Sequence, residues 1–424
     1  MSIEVESVIA AGDVIIDEVT IITSNGFAQD IKPQVMGLEI YEDLFGSFIT
    51  GKIFVQDAQE LINLLPLIGQ EIVKISVKTP SLDDADGFTG EFYIYKLDDR
   101  MKMKERELTY VLHFISKEAI IDMNKKISKA YSGKVSDIAA KVLSESDALE
   151  STKFLNIEPT KNSTKYVSNF WSPLKNLQYL ADNAVNESDS PTYVFYESKF
   201  GLNFTSLDRL YTGTPLYQRF IWDNYSMDML PGGGSRRDIS ADYQRVLEFN
   251  MTESFNYMDR LKTGMYGSEI IYFDMLTKQY VHNNYVPAFS ESNHLNEYPF
   301  WANNPIVRPK SLVLFESKMY NTHDGYDDTS NVKFIQKRTA LMSQAEANKV
   351  TISVHGRTDY TVGQKVYLEV PKNTQIKKDD DAEDKIMSGI YLISAICHNI
   401  TRKSHQCIIE LIKDSYMVNI NATE

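Results

Sequence analysis

Cysteine is nearly missing from this chain, with only Cys397 and Cys407 in 424 residues. So small a supply excludes a disulfide framework and agrees with a reducing compartment. Positive charge is short as well: 44 lysines and arginines stand against 58 aspartates and glutamates, a net −14. That balance works against non-specific nucleic-acid binding, which draws on clustered cations. No apolar run approaches the ~20 residues that cross a bilayer, and the opening MSIEVESVIAAGDVII has no basic segment ahead of its apolar stretch. A protein made in the cytoplasm is therefore expected. Familiar signatures of chemistry are missing too: no G-x-x-x-x-G-K-[ST], no G-x-G-x-x-G behind a strand, no H-E-x-x-H and no G-x-S-x-G. This argues against an enzyme and against a cofactor. What is plentiful is aromatic: 25 tyrosines and 20 phenylalanines, residues that favour strands and interfaces.

A repeat organises the chain. GQEIVKISVKTP (Gly69–Pro80) is followed by the acidic loop SLDDADGF, by Thr89-Gly90, and by two strands across a basic turn. Near the C-terminus GQKVYLEVP (Gly363–Pro371) is followed by KNTQIKKDDDAEDKIM, by Ser388-Gly389, and again by two strands across a basic turn. Upstream of each copy lie further alternating stretches: Val14–Thr23, Val35–Tyr41 and Ser47–Asp57 in the first, Arg245–Ser254 and Gly267–Asp274 in the second. Both copies read as small antiparallel β units.

Between them the period changes to helical. GKVSDIAAKVLSES places Val135, Ile138, Ala139, Val142 and Leu143 on one face with Ser136 as expected N-cap, and WSPLKNLQYLADNAV offers Ser172 as N-cap with Pro173 at the first helical position. PTYVFYESKFGLNFTSL predicts a hairpin turning at Lys199–Gly201, and a last helix is expected over roughly Phe334–Asn348. The predicted layout is a first β domain over 1–122, an α+β insert over 123–240, a second β domain from 241–280 and 350–415, and an insertion with a helix over 281–349.

Few residues invite a chemical role. SGIYLISAICHNITRKSHQCIIELIKDS holds both cysteines, with His398 and His405 between them. Neighbouring strand residues face opposite ways, so Cys397 and His398 cannot share an ion without a bulge, and an odd-length loop centred on Arg402 would set Cys397 opposite Cys407. C-H-x6-H-x-C matches no common zinc spacing, and two buried cysteines on a hairpin is the expectation, with no metal. Asp379, Asp380, Asp381, Glu383 and Asp384 lack the glycine bend and spaced glutamate of a calcium loop; Asp84, Asp86 and Gly87 catch only a fragment of one. Gly232-Gly233-Gly234 lacks the flanking strand and helix of a phosphate cradle and reads as a linker. No catalytic, cofactor-binding or metal residue is assigned.

Four stretches carry a resemblance over nearly the whole chain: GSFITGKIFVQDAQELINLLPLIGQEIVKI, YVLHFISKEAIIDMNKKISKAYSGKVSDIAAKVL, WSPLKNLQYLADNAV, and GQKVYLEVP with SGIYLISAICHNI. In order and spacing they resemble the central baseplate hub proteins of contractile-tailed bacteriophages, including the T-even hub, and are similar to the hub of type VI secretion spike proteins. The resemblance implies a mainly β (α+β) fold with two tail-tube-like antiparallel β-barrel domains and an α+β insert. It further implies a ring-shaped homotrimer of pseudo-sixfold symmetry in the virion tail baseplate. Such a ring joins the sixfold tail tube or its initiator proteins to the threefold central spike, meets the tape-measure protein, and lets DNA pass without specific binding. The alternatives are the hub of another contractile injection system and, from a different class, a tail-associated cell-wall or polysaccharide hydrolase, which would need two carboxylates held roughly 5–9.5 Å apart across a cleft.

Overall fold

The computed structural model describes residues 8, 10–65, 67–83, 87–104, 107–222, 239–253, 256–274, 278–287, 292–299, 310–316, 334–372 and 383–419. Period-2 alternation builds the first unit from seven strands: β1 (Ile15–Ile22), β2 (Ala28–Asp30), β3 (Val35–Asp43), β4 (Thr50–Asp57), β5 (Ile72–Lys78), β6 (Phe88–Lys104) and β7 (Glu107–Ser116). In β4, Gly51, Ile53 and Val55 are buried while Thr50, Lys52 and Phe54 face the other side. Gly51 is required by close approach, since a Cβ there would lie 2.2 Å from the Phe114 ring and 2.3 Å from the Glu39 carbonyl oxygen. The strands run in the order β3-β4-β7-β6-β5-β1-β2, all antiparallel, over a core that includes Val19, Ile40, Ile53, Val73, Leu112 and Phe114.

The insert contains β8 (Ile127–Lys134), β9 (Leu155–Ile157), β10 (Ser163–Trp171), β11 (Tyr193–Ser198) and β12 (Gly201–Ser206). Two of its helices, Val135–Ser144 and Pro173–Asp182, bury the expected stripes against Tyr166, Tyr193 and Phe204. The Ser172 hydroxyl caps the second helix, accepting from the Lys175 N–H at 3.3 Å. Ser136 is not a cap: the first helix already starts at Val135, and the Ser136 N–H donates instead to the Thr160 hydroxyl at 3.0 Å. The β11–β12 hairpin turns at Lys199-Phe200 as expected.

Beyond the insert follow β13 (Leu216–Ile221), β14 (Val246–Glu253), β15 (Ser268–Asp274), β16 (Gln279–Tyr285), β17 (Tyr298–Pro299), β18 (Lys310–Glu316), β19 (Asn348–His355), β20 (Lys365–Glu369), β21 (Gly389–Thr401), β22 (His405–Lys413) and β23 (Ser415–Tyr416). A helix over Ile335–Ala345 stands where one is expected. No helix among the described residues is long and apolar enough to cross a membrane. The second unit is ordered β14-β19-β22-β21-β20-β13, strand for strand the order β3-β4-β7-β6-β5-β1. Even the irregularities recur. The β6–β7 ladder slips at Tyr95 and the β21–β22 ladder at Ser394; the β3–β4 ladder slips at Met36 and the β14–β19 ladder at Leu247. Bulges at matching places mark one structural unit used twice.

Two expected placements are corrected. β13, placed by sequence in the insert, pairs in parallel with β20 and completes the second unit; the long crossover that a parallel pair needs is the chain between residues 222 and 364. β15, assigned to the second β domain, instead pairs with β16 and β18 in a separate three-stranded sheet, so the excursion after residue 280 contains strands. The two β units are joined edge to edge: β3 pairs with β21, and a single 13-stranded sheet runs through both.

Candidate functional site

The feature that distinguishes this molecule is the joint between its two units. β21 is long enough to serve two partners on one edge: Gly389–Leu392 pairs with β20, and beyond the bulge Ala395–Thr401 pairs antiparallel with β3, from Ala395 opposite Asp43 to Thr401 opposite Gly37. Side chains reinforce the seam. The Arg402 Nε donates to the Val35 carbonyl at 2.7 Å and its Nη2 to the Pro33 carbonyl. Glu42 of β3, 1% exposed, accepts from the Thr361 hydroxyl, and burial pushes its carboxyl up to about 7 against the lowering effect of that bond.

Alternation sorts the residues at the joint into two faces. On the polar face Cys397 lies opposite Tyr41, and Glu39 lies opposite both Asn399 and Lys52. Burial and the nearby Glu39 raise the Cys397 thiol to about 11, so it is not a reactive thiolate. On the core face His398 lies opposite Ile40 of β3. Here the sequence expectation fails by one residue. The turn is Thr401–Ser404, four residues rather than an odd number, so Cys407 faces His398 and not Cys397, while Ile400 faces His405. His405 and Cys407, two apart on β22, share the core face with His398. The His398 Nδ1 lies 3.1 Å from the His405 Nε2, and the Cys407 Sγ lies 3.3 Å from the former and 3.4 Å from the latter. All three are at most 2% exposed. Burial drives His398 down to about 3 and His405 well below its ordinary value, and pushes the Cys407 thiol well up, so both rings are neutral at pH 7.

Other sequence candidates stay apart from this place. Glu383 accepts from the Tyr367 hydroxyl, and Asp384 accepts from the backbone N–H of Ile386 at 2.9 Å and of Met387 at 3.2 Å, which are turn-forming roles. Asp379, Asp380, Asp381, Asp84, Asp86 and Gly232–Gly234 lie outside the described residues. A second junction, missed in the sequence, ties the insert to the first unit. Lys153 bridges Glu118 at 2.6 Å and Glu197 at 2.5 Å, and Glu197 also accepts from the Ile49 N–H at 2.9 Å. Of these, Lys153, Glu197 and Ile49 line a cleft with Phe88, Phe92, Phe154 and Phe200.

No family model matches this chain, and no curated protein matches it in sequence. Solved structures do. The tail protein from Neisseria meningitidis MC58 superposes with a TM-score of 0.57 at 11% identity, over 94% of this chain and 96% of that one. The 43 kDa tail protein of prophage MuSo2 from Shewanella oneidensis gives 0.54 at 12% identity, over 94% and 98%. A type VI secretion component from E. coli, described as structurally similar to the T4 bacteriophage tail proteins gp27 and gp5, gives 0.45 at 10% identity, over 97% and 79%. What the chain shares with the first two, almost end to end, is the fold of phage tail proteins, the mainly β class anticipated from its sequence.

Proposed function

We propose that this chain is a structural baseplate hub of a contractile tail: a trimeric ring of pseudo-sixfold symmetry that joins a sixfold tail tube to a threefold central spike and encloses the DNA channel. The β3–β21 joint carries this reading. It unites two like units through one kind of contact, and each chain keeps the two edges needed to repeat it. In the first unit the strand equivalent to β21 is β6, whose second half, from Lys96 onward, pairs only with β7 among the described strands. In the second unit the strand equivalent to β3 is β14, paired along its length only with β19 among the described strands. Open edges of this kind are ordinarily covered. Met101 and Met103 on the open half of β6 are 58% and 63% exposed, which suits a surface covered by a neighbour. Three chains joined β6 to β14 set two kinds of unit alternately around a closed ring, six places in all from three chains of two units.

The polar face of the continuous sheet suits a channel that passes DNA without holding it. Charges on it are paired, Lys52 with Glu39 at 3.5 Å and Lys349 with Glu410 at 3.9 Å across strands, and Lys96 with Asp98 along β6. Paired in this way, these three lysines are not free cations for phosphate. We infer that the chain performs no catalysis and that its partners are further copies of itself, tube proteins, the spike and the tape-measure protein in the virion tail. Native mass spectrometry and negative-stain imaging test this: three chains and a ring with a central hole are expected. A monomer at every concentration, alone and with spike and tube proteins, would overturn the hub.

A further inference from the structure

Buried polar atoms without partners gather behind the joint. The His398 Nε2, the His405 Nδ1 and the hydroxyl of Tyr360, which is 0% exposed, all lack a hydrogen-bond partner. Each ring directs its other nitrogen, His398 Nδ1 and His405 Nε2, at its neighbour and at the Cys407 sulfur. In the same place three donor atoms converge with sides of 3.1, 3.3 and 3.4 Å. A tetrahedral zinc ion, with Zn–N of about 2.0–2.1 Å and Zn–S of about 2.3 Å, holds its ligand atoms about 3.3 Å apart for two nitrogens and about 3.5 Å for nitrogen and sulfur. The triangle formed by His398, His405 and Cys407 matches one face of that tetrahedron to within a few tenths of an ångström.

The geometry points to a structural metal site: we propose that His398 through Nδ1, His405 through Nε2 and Cys407 through Sγ bind one zinc-type divalent ion behind the β3–β21 joint. Two imidazoles and a thiolate are donors that select zinc over calcium or magnesium. The backbone that carries one ring is held in place beforehand: the His405 backbone N–H donates to the Gly12 carbonyl at 2.8 Å, and its carbonyl accepts from the Gly356 N–H at 2.8 Å. A Cβ on Gly356 would lie 2.3 Å from the His405 ring, so glycine alone leaves room for the imidazole. Binding replaces the S–H bond of Cys407 by an S–metal bond, with the proton released to solvent. The single positive charge left on ion plus thiolate is opposed by Glu42 and Asp359, both close enough to disfavour negative charge on Cys407. The fourth position is left to water. Placed here, the ion ties both arms of the β21–β22 hairpin together directly behind the strand that carries the seam, and so stiffens the contact on which the hub reading rests without depending on that reading.

Cobalt titration of the full chain, stripped with EDTA, tests the site. One equivalent per chain is expected, with a thiolate-to-cobalt charge-transfer band and the intense visible bands of a tetrahedral ion, both erased by added zinc. Cys407→Ser should remove the charge-transfer band, whereas Cys397→Ser, on the opposite face, should leave the spectrum unchanged. Zinc should also raise the melting temperature of the wild-type chain, reversed by EDTA. A folded wild-type chain that shows no thiolate band under excess cobalt overturns the proposal even if Cys407→Ser does not fold, and so does a band that persists in Cys407→Ser. Because trimer formation is read separately by mass, loss of the metal site and loss of the hub are distinguishable.

Discussion

Thr79 and Thr358, 279 positions apart, hold each other reciprocally: the Thr79 N–H donates to the Thr358 hydroxyl at 3.2 Å and the Thr358 N–H to the Thr79 hydroxyl at 3.0 Å. Thr79 follows β5 of the first unit and Thr358 follows β19 of the second, so this pair is a second clasp beside the β3–β21 seam. Thr358→Val keeps the shape but strands the buried Thr79 N–H, and should cost about 1–3 kcal/mol in urea denaturation. Thr358→Ser, which keeps the acceptor, should stay close to wild type. Equal effects from both would remove the hydrogen bond as the cause.

The ring contact is testable at one pair of positions. By the matching bulges, Asp98 on β6 occupies the place of Cys397, and Thr252 on β14 the place of Tyr41; Cys397 and Tyr41 face each other within the chain. Asp98→Cys combined with Thr252→Cys should therefore cross-link between chains under mild oxidation or with a short bismaleimide, giving a covalent trimer on a denaturing gel. Each single variant should not. An assembled trimer that never cross-links would place the contact elsewhere.

Lys153 is the one cation between two carboxylates whose side chains are 4% and 2% exposed. Lys153→Met leaves both without their counter-charge and should destabilise the chain by about 3–5 kcal/mol. Burial alone would raise Glu118, but Lys153 and Ser151 overcome it and hold its carboxyl below the ordinary range. A depressed folded value means its contribution is complete above the unfolded value of about 4.3 and is lost as pH falls through the folded one. The gap in melting temperature between wild type and Lys153→Met should therefore narrow on acidification from pH 6 to pH 3.

Lys413 gives a pH dependence of the opposite kind. Its ammonium is 1% exposed and donates to the carbonyls of Ile386, Met387 and Ser388 at 2.6, 3.1 and 3.1 Å. Burial outweighs the pull of Asp384 and brings its value down to about 7. Between there and the unfolded value of about 10.4 the unfolded chain holds a proton that the folded one lacks, so stability rises with pH across that window. Wild type should gain stability from pH 7 to pH 9.5 relative to Lys413→Met, measured side by side by chemical denaturation. Parallel profiles for the two would mean that the lysine stays charged.

Local pattern was enough for much of this molecule. The two arms of each repeat, the buried stripe of the insert helix, its Ser172 cap and the β11–β12 hairpin are each written within a dozen neighbouring residues, because alternation, capping and turn chemistry act at short range. Similarly, the spacing His405-x-Cys407 alone puts both side chains on one face of a strand. Tertiary structure decided the rest. A four-residue turn instead of an odd one moved His398, not Cys397, to their side, since one step of register turns a strand over. The joining of β3 to β21, of β13 to β20, and of Thr79 to Thr358 links residues up to several hundred positions apart. Those links run largely through backbone N–H and C=O groups that every residue carries alike, so no side-chain pattern announces them, and only the assembled sheet fixes which edge meets which.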